Sequence, residues 1–202
     1  MSRVPGQSVA DTNDRLVWSA FRTFRKHGIS NTKVSDICAD ARVSRKTLYE
    51  YYENKYDLFH AVMCMEAKFY REALEKIDLE TDPEEIIRSV FYIVFDGFGS
   101  GFGFLMSEIS VNPSIKIPEE AREAARICLD RVEHAIAAGS STGQFRKNLD
   151  SQCYLATMNI MINGFYSSSG AVEQMFSLNL KDDFSLRFWR EHLASVLISS
   201  LH

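Results

Sequence analysis

The sequence predicts an all-α fold in which a small N-terminal group of three helices precedes a larger helical body. Three observations carry this expectation. Apolar residues recur every three or four positions through almost every segment, while the alternation of strands is scarce. Only four prolines interrupt the 202 residues, so few segments are barred from helix interiors. Charge divides the chain: residues 1–60 hold ten Lys/Arg against seven Asp/Glu, whereas residues 61–202 hold thirteen against twenty. The first part is net basic within a chain of formal charge −4, and domains are expected at 1–60 and 61–202. Apolar residues at 46% and charged residues at 25% are ordinary for a soluble globular chain, which excludes disordered and fibrous classes.

Each element has a local cause. From Thr12 onward, Leu16, Ala20, Phe21 and Phe24 fall on one helix face, and Arg25, Lys26 and His27 sit against the negative helix end before Gly28. Thr32 is an expected N-cap for a short helix, Lys33 to Ala41, with Val34, Ile37, Cys38 and Ala41 inward. Ser44 is the expected cap of a third helix, Arg45 to Tyr51. Asn54 followed by Asp57 resembles a capping box, opening a long helix through Leu58, Val62, Met65, Phe69 and Leu74 to Ile77. Asp82-Pro83-Glu84-Glu85 combines an N-cap, a proline at the first helical position and an acidic first turn, so a helix should run on to Phe98.

Gly97 to Gly103 reads Gly-Phe-Gly-Ser-Gly-Phe-Gly, and glycine costs a helix about 1 kcal/mol per residue relative to alanine, so a bend or loop is expected. The run follows no strand and does not match G-x-G-x-x-G, which excludes a nucleotide-binding loop. Asn112-Pro113 and Ile117-Pro118 bracket a connector. Glu119 to Ala138 turns Ala124, Ile127, Cys128, Leu129, Val132 and Ile136 inward, and Gly139 to Gly143 should end it. Two closing helices, Asp150 to Gln174 and Asp183 to Leu201, are unusually apolar for surface elements.

Several function classes are disfavoured. Cys38, Cys64, Cys128 and Cys153 are far apart and form no C-x-x-C pair, so buried free thiols in a reducing compartment are expected rather than zinc or redox chemistry. The five histidines are dispersed, and no metal or cofactor is expected. No basic-then-apolar leader opens the chain, which points to the cytoplasm. Ser151 to Val172 is free of charge, but Gln152, Asn159, Asn163 and the serines leave an apolar centre of about a dozen residues, short of the ~20 a spanning helix needs. That stretch reads as a buried helix, with no membrane partner. No Ser/His/Asp or Cys/His set stands at supportable spacing, which leaves a small helical enzyme as a remote alternative.

Two short helices separated by a tight turn make a helix-turn-helix, in which the second helix enters a major groove and the first crosses the backbone. The second begins Ser44-Arg45-Lys46-Thr47, placing cations and hydroxyls where base edges and phosphates would lie. Arginine bonds guanine bidentately for about 1–3 kcal/mol of discrimination, whereas lysine and hydroxyls mainly hold phosphates.

Three stretches carry a resemblance: Ala20-Phe21-Arg22-Thr23-Phe24-Arg25-Lys26-His27-Gly28, Thr32-Lys33-Val34-Ser35-Asp36-Ile37, and the run from Val43 through Tyr49-Glu50-Tyr51-Tyr52 to Leu58. Over Arg15 to Val62 they resemble the DNA-binding domain of the tetracycline-repressor (TetR) family. The resemblance implies Thr32 and Lys55 as phosphate clamps at two helix starts, and Arg45, Lys46, Thr47 and Tyr49 as the groove-facing set. Lys33 and Ser44 accompany them, Tyr51 would reach a phosphate, and Leu48 and Tyr52 would be core. Arg42 departs from the family, which usually has glycine there. It must tolerate a positive φ or reshape the turn, and it would add a phosphate contact.

The resemblance further implies a helical ligand-binding domain that dimerises through its last two helices. The residues allow it, because Tyr154, Met158, Met161, Ile162, Phe165, Tyr166, Phe184, Phe188, Trp189, Leu193, Val196 and Leu197 exceed what two edge helices can hide in one chain. The expected dimer set is Tyr154, Met161, Phe165, Phe184, Phe188, Trp189, His192 and Val196. An effector pocket is expected from Phe91, Tyr92, Phe95, Phe98, Phe102, Phe104 and Met106 with Cys128, Val132, Met158, Asn159, Ile162, Asn163 and Tyr166, although the same aromatic spacing suits plain core. Tyr92, Asn159, Asn163, Tyr166 and His134 are its candidate polar anchors. The expected whole is a homodimeric repressor that reads a palindromic double-stranded DNA operator and is released by a small apolar or aromatic effector, with the helix from Lys55 to Ile77 pivoting between states. A DNA-binding regulator answering to a protein partner, with no small-molecule pocket, is the alternative.

Overall fold

Helix after helix follows from the local signals. The computed structural model describes residues 9–202 except Leu178 and Lys181. The elements are α1 (Val9–Asn31), α2 (Val34–Ala41), α3 (Arg45–Tyr51), α4 (Lys55–Glu75), α5 (Pro83–Gly97), a π-helical turn (Phe98–Phe102), α6 (Gly103–Val111), α7 (Glu119–Thr142), α8 (Ser151–Phe176) and α9 (Asp183–Ser199). No strand occurs among the described residues.

The chain packs as two units. The first contains residues through Lys68 together with Phe104–Ala121, and the second contains Phe69–Gly103 with Arg122–His202. In the first, Leu16, Ala20 and Phe24 of α1 are fully buried with Ile37, Leu48, Leu58 and Val62, each large apolar side chain contributing about 1.5–3 kcal/mol. Phe59 of α4 stands edge-on to Phe24 at 5.8 Å and to Phe104 of α6 at 6.3 Å, so one aromatic chain links three helices. Arg22 pairs with Asp40 at 2.6 Å and joins α1 to α2. Hydrogen bonding from Arg22 holds the Asp40 carboxyl below its ordinary value.

Two local expectations are corrected and a third is refined. Thr32 is not the N-cap of α2: that position is Lys33, with no side-chain cap. The Thr32 hydroxyl instead donates at 2.7 Å to the Gly28 carbonyl, which also accepts the Thr32 N–H at 3.2 Å, the local back-bonding a threonine makes four residues on. Gly97 to Gly103 gives the expected bend, with a kink at Gly101, but not a loop. The helix widens into the π turn and resumes as α6, since the glycines leave space for rings: a Cβ on Gly97 would collide with Tyr70, and one on Gly99 would lie 2.7 Å from the Tyr166 hydroxyl. Gly139 does not break α7, because its missing Cβ seats the Phe145 ring, and the positive φ of 78° at Gly143 follows the helix end.

Ser44 and Asp82 cap as expected, accepting from Thr47 N–H at 3.0 Å and Glu84 N–H at 2.9 Å. In the second unit, α5 buries Ile86, Ile87, Val90, Phe91, Val94 and Phe95 and packs against α8 and α9, and Val132 of α7, Met158 and Ile162 of α8 and Ala194 of α9 are buried in the same unit. Burial pushes the Cys128 thiol up to about 12. Arg190 of α9 lies 3.6 Å over the Tyr92 ring and bonds Asp96 at 2.9 Å, while the Tyr92 hydroxyl donates to Glu191 at 2.6 Å, which clamps α9 onto α5. Among the described residues one run is long and apolar enough to cross a membrane, Pro83–Val111, and the inward face of its α5 portion is buried by protein. The charge-free stretch flagged in the sequence, Ser151 to Val172, lies within α8.

Candidate nucleic-acid interface

The recognition element is built from its cap upward. Ser44, extended at φ −77° and ψ 156°, closes the first turn of α3, and Leu48 with no exposed surface anchors the helix in the first unit. Anchoring at Leu48 turns Arg45, Lys46 and Tyr49 outward, and all three are exposed, Tyr49 to 53%. Thr47 is half-buried, its hydroxyl 2.9 Å from that of Ser44. No carboxylate forms a salt bridge with Arg42, Arg45 or Lys46 among the described residues, whereas Arg22 is held by Asp40.

Arg42 keeps the turn and accepts the strain. It sits in the left-handed region at φ 55° and ψ 45°, its N–H bonding the Ala39 carbonyl at 3.2 Å while Val43 N–H bonds Cys38 at 3.0 Å. That is the double hydrogen bond of a glycine-type helix ending, adopted by a residue that lacks glycine's freedom at a cost of about 1–2 kcal/mol. Its side chain is exposed beside the start of α3, and Lys33 is exposed at the start of α2.

Two expected phosphate clamps are committed within the protein. Thr32 is 4% exposed with its hydroxyl on the Gly28 carbonyl. Lys55 donates from Nζ to the carbonyls of Ile29 at 2.7 Å and Ser30 at 2.9 Å, closing the end of α1. Tyr51 is half-buried, and Tyr52 donates its hydroxyl to Asn13 Oδ1 at 2.7 Å, with burial raising its pKa. What remains outward is a short cationic face on a rigid helix, a surface suited to the polyanionic edge and donor-acceptor code of a duplex.

The model of the bacterial regulatory proteins of the tetR family matches residues 16–62, the span that holds this turn and its bracing helices. Over those residues the chain is similar to that family. A probable acrEF/envCD operon repressor of Escherichia coli K12 is 34% identical over 80 residues, 38% of this chain and 36% of that repressor. The chain thus matches about a third of the length of this first relative. The HTH-type transcriptional repressor NicS of Pseudomonas putida is 20% identical over 205 residues, covering 98% of this chain and 96% of its own. In fold, the chain is similar to the transcriptional regulator FadR of Bacillus subtilis, solved in complex with stearoyl-CoA, at a TM-score of 0.69 and 16% identity over 94% of this chain and 99% of that one.

Outside the span matched by the tetR-family model, the second unit gathers part of the expected pocket set. Phe91 stacks on Phe95 at 5.7 Å, Phe95 meets Tyr166 at 5.1 Å, and Phe98 meets Tyr166 at 6.3 Å and Phe102 at 5.4 Å. Cys128, Val132, Met158 and Ile162 are buried in the same unit. Phe104 and Met106 do not join them, because the resumed helix α6 carries both into the first unit. Of the polar anchors, Asn159 donates to Leu155 O within its own helix at 2.9 Å, Asn163 is exposed, Tyr92 turns to Glu191, and His134 Nε2 lies 3.1 Å from Leu79 O. Tyr166 is half-buried, its hydroxyl beside Gly99, and burial pushes its pKa to about 12.

An open groove of about 510 Å³, lined by Ala73, Ile77, Thr81, Ser89, Tyr92 and Ile93 among others, shares only Tyr92 with the expected set. No periodicity signalled it, since its residues come from the end of one helix, a turn and the outer side of the next.

The expected dimer set also divides. Phe184, Phe188 and Val196 are exposed to 80%, 58% and 50%, and His192 is exposed and stacked on Phe188. Met161, Phe165 and Trp189 are half-buried. Tyr154 is buried, and its hydroxyl donates to Leu197 O at 3.0 Å, so it joins α8 to α9 inside one chain. Ile160, 72% exposed on α8, belongs to the outward apolar face and was absent from the expected set.

Proposed function

We propose that the chain is a ligand-responsive transcriptional regulator that binds a palindromic DNA operator as a homodimer and is released by a small apolar or aromatic effector. The observation that carries this reading is the outward face of α3: Arg45 and Lys46 exposed at the start of a helix whose Leu48 is fully buried. Arg45 is the base reader, Lys46 and Arg42 the phosphate contacts, and Tyr49 and Thr47 the flanking contacts. The relatives described as repressors support the sign of the regulation.

The apolar surface exposed on α8 and α9, at Ile160, Phe188 and Val196, supports pairing with a second copy. A twofold pair presents α3 twice and requires half-sites about one helical turn apart, 10–10.5 base pairs. The ring cluster of Phe95, Phe98 and Tyr166 supports an apolar or aromatic effector, as does the fold's likeness to a regulator solved with stearoyl-CoA. Such an effector acts only by binding the DNA-competent and DNA-incompetent shapes with different affinity. Helix α4 contributes to both units and is the element such a change would bend.

Enrichment of duplexes from a randomised pool tests the reading. The expected product is an inverted repeat bound with a steep salt dependence, by a species that sediments as a dimer. Recovery of no preferred sequence, or a monomer at micromolar concentration, would overturn it.

A further inference from the structure

We infer that Glu108 of α6 is a positioning residue for the DNA-reading unit, holding the point where α1 ends and the helix-turn-helix begins. Its consequence for DNA rests on the function proposed above; its geometry does not. At Gly28 the backbone leaves the helical region, at φ 73° and ψ 159°, and side chains bind the backbone groups around the break. Thr32 donates to the Gly28 carbonyl, and Lys55 donates to the carbonyls of Ile29 and Ser30. The freed N–H of Ile29 donates to Glu108 Oε1 at 3.1 Å, across 79 residues of sequence. Glu108 is the one of these three partners that lies outside residues 16–62, the span the family model matches.

Glu108 is placed there by its helix. Phe104, one turn earlier on the same face of α6, sets its ring against Phe59, and Leu105 is 2% exposed. Helix α6 is thereby a working part of the first unit, fastened by a ring at one turn and a carboxylate at the next. Gly28 suits the positive φ, and a Cβ there would stand 3.0 Å from Glu108 Oε1 and press on the carboxylate. A carboxylate accepting a backbone N–H of a half-buried turn is a strong, directional tie. It fixes the chain direction four residues before Lys33, from which α2 and then α3 are launched.

Three variants separate this role from simple charge. Glu108→Gln keeps an acceptor of the same reach and removes the charge; Glu108→Asp keeps the charge and loses the reach; Glu108→Ala loses both. With the duplex enriched by the wild-type chain as probe, Glu108→Gln should bind within about twofold of wild type, whereas Glu108→Asp and Glu108→Ala should bind about tenfold more weakly. The slope of log affinity against log salt should stay the same in all, because no phosphate contact is removed. Amide exchange followed by NMR on the intact chain should be faster at Ile29 in the Asp and Ala variants and unchanged in Gln.

Equal shifts in Gln and Ala, or Ile29 exchange alike in all variants, would overturn the inference. If the wild-type chain binds no duplex, the regulator reading falls, while the exchange measurement still decides whether Glu108 holds the kink.

Discussion

The two units teach opposite lessons about where function can be seen. In the first, the side chains proposed to act are exposed and polar on a scaffold of buried apolar ones, so role and burial separate cleanly: Arg45 and Lys46 face outward while Leu48 is fully buried. In the second, the residues proposed to meet an effector are apolar, and the same chemistry builds the core. Phe91 and Phe95, expected as pocket walls, are 0% and 2% exposed and stacked on each other. A site that reads charge is written in residues a core rejects; a site that reads apolar surface is written in residues a core prefers.

The largest effect that can break this comparison lies in the second unit. Phe91→Ala should cost about 3–5 kcal/mol in urea unfolding, and a loss below about 1 kcal/mol would mean that the ring lines open space rather than core. Next comes a contrast inside the first unit. Arg45→Ala should remove about 1–3 kcal/mol of base discrimination while leaving stability within about 0.5 kcal/mol. Lys55→Ala, by releasing the Ile29 and Ser30 carbonyls, should lower stability by about 1–2 kcal/mol and weaken binding to all sequences without changing the salt slope. A salt slope reduced by about one in Lys55→Ala would return that lysine to the phosphates.

Arg42→Gly should stabilise the fold by about 1 kcal/mol, since glycine occupies φ 55° without strain, and should flatten the salt slope by about one. Stabilisation with an unchanged slope would leave the strained arginine without a DNA role.

The smallest effect concerns Glu66, 8% exposed on α4. Burial pushes its carboxyl above the ordinary value, with Arg25 opposing. Folding therefore favours its protonated form, so its contribution to stability declines as pH rises from the ordinary carboxylate range through the raised value. Glu66→Gln should raise the thermal midpoint by about 2–4 °C at pH 7, and the gain should fade as pH approaches about 4. A gain that grows on acidification would reverse the assignment.

Much of this was legible before any coordinates. The caps at Ser44 and Asp82, the cationic tip of α3 and the long amphipathic α7 follow from local rules, because a cap needs only its own hydroxyl or carboxylate and the next turn. Helix α6 was not legible. Gly103–Val111 has no clear apolar period and begins in a glycine run, and only the rings of Tyr70 and Tyr166 reveal why the glycines serve packing instead of breaking the helix. The Thr32 hydroxyl had two local options, the cap of α2 and the carbonyl four residues earlier, and the structure shows it on the Gly28 carbonyl.

Sequence alone thus determined most of the helices, the caps at Ser44 and Asp82 and the outward side of α3, all of which depend on neighbours within four positions. Tertiary structure alone decided what those residues are fastened to: Lys55 to the end of α1, Tyr154 to Leu197 within one chain, and Glu108 to Ile29 across 79 residues. Periodicity records which way a side chain faces, while a hydrogen bond between distant segments depends on how the helices pack, which no local pattern encodes.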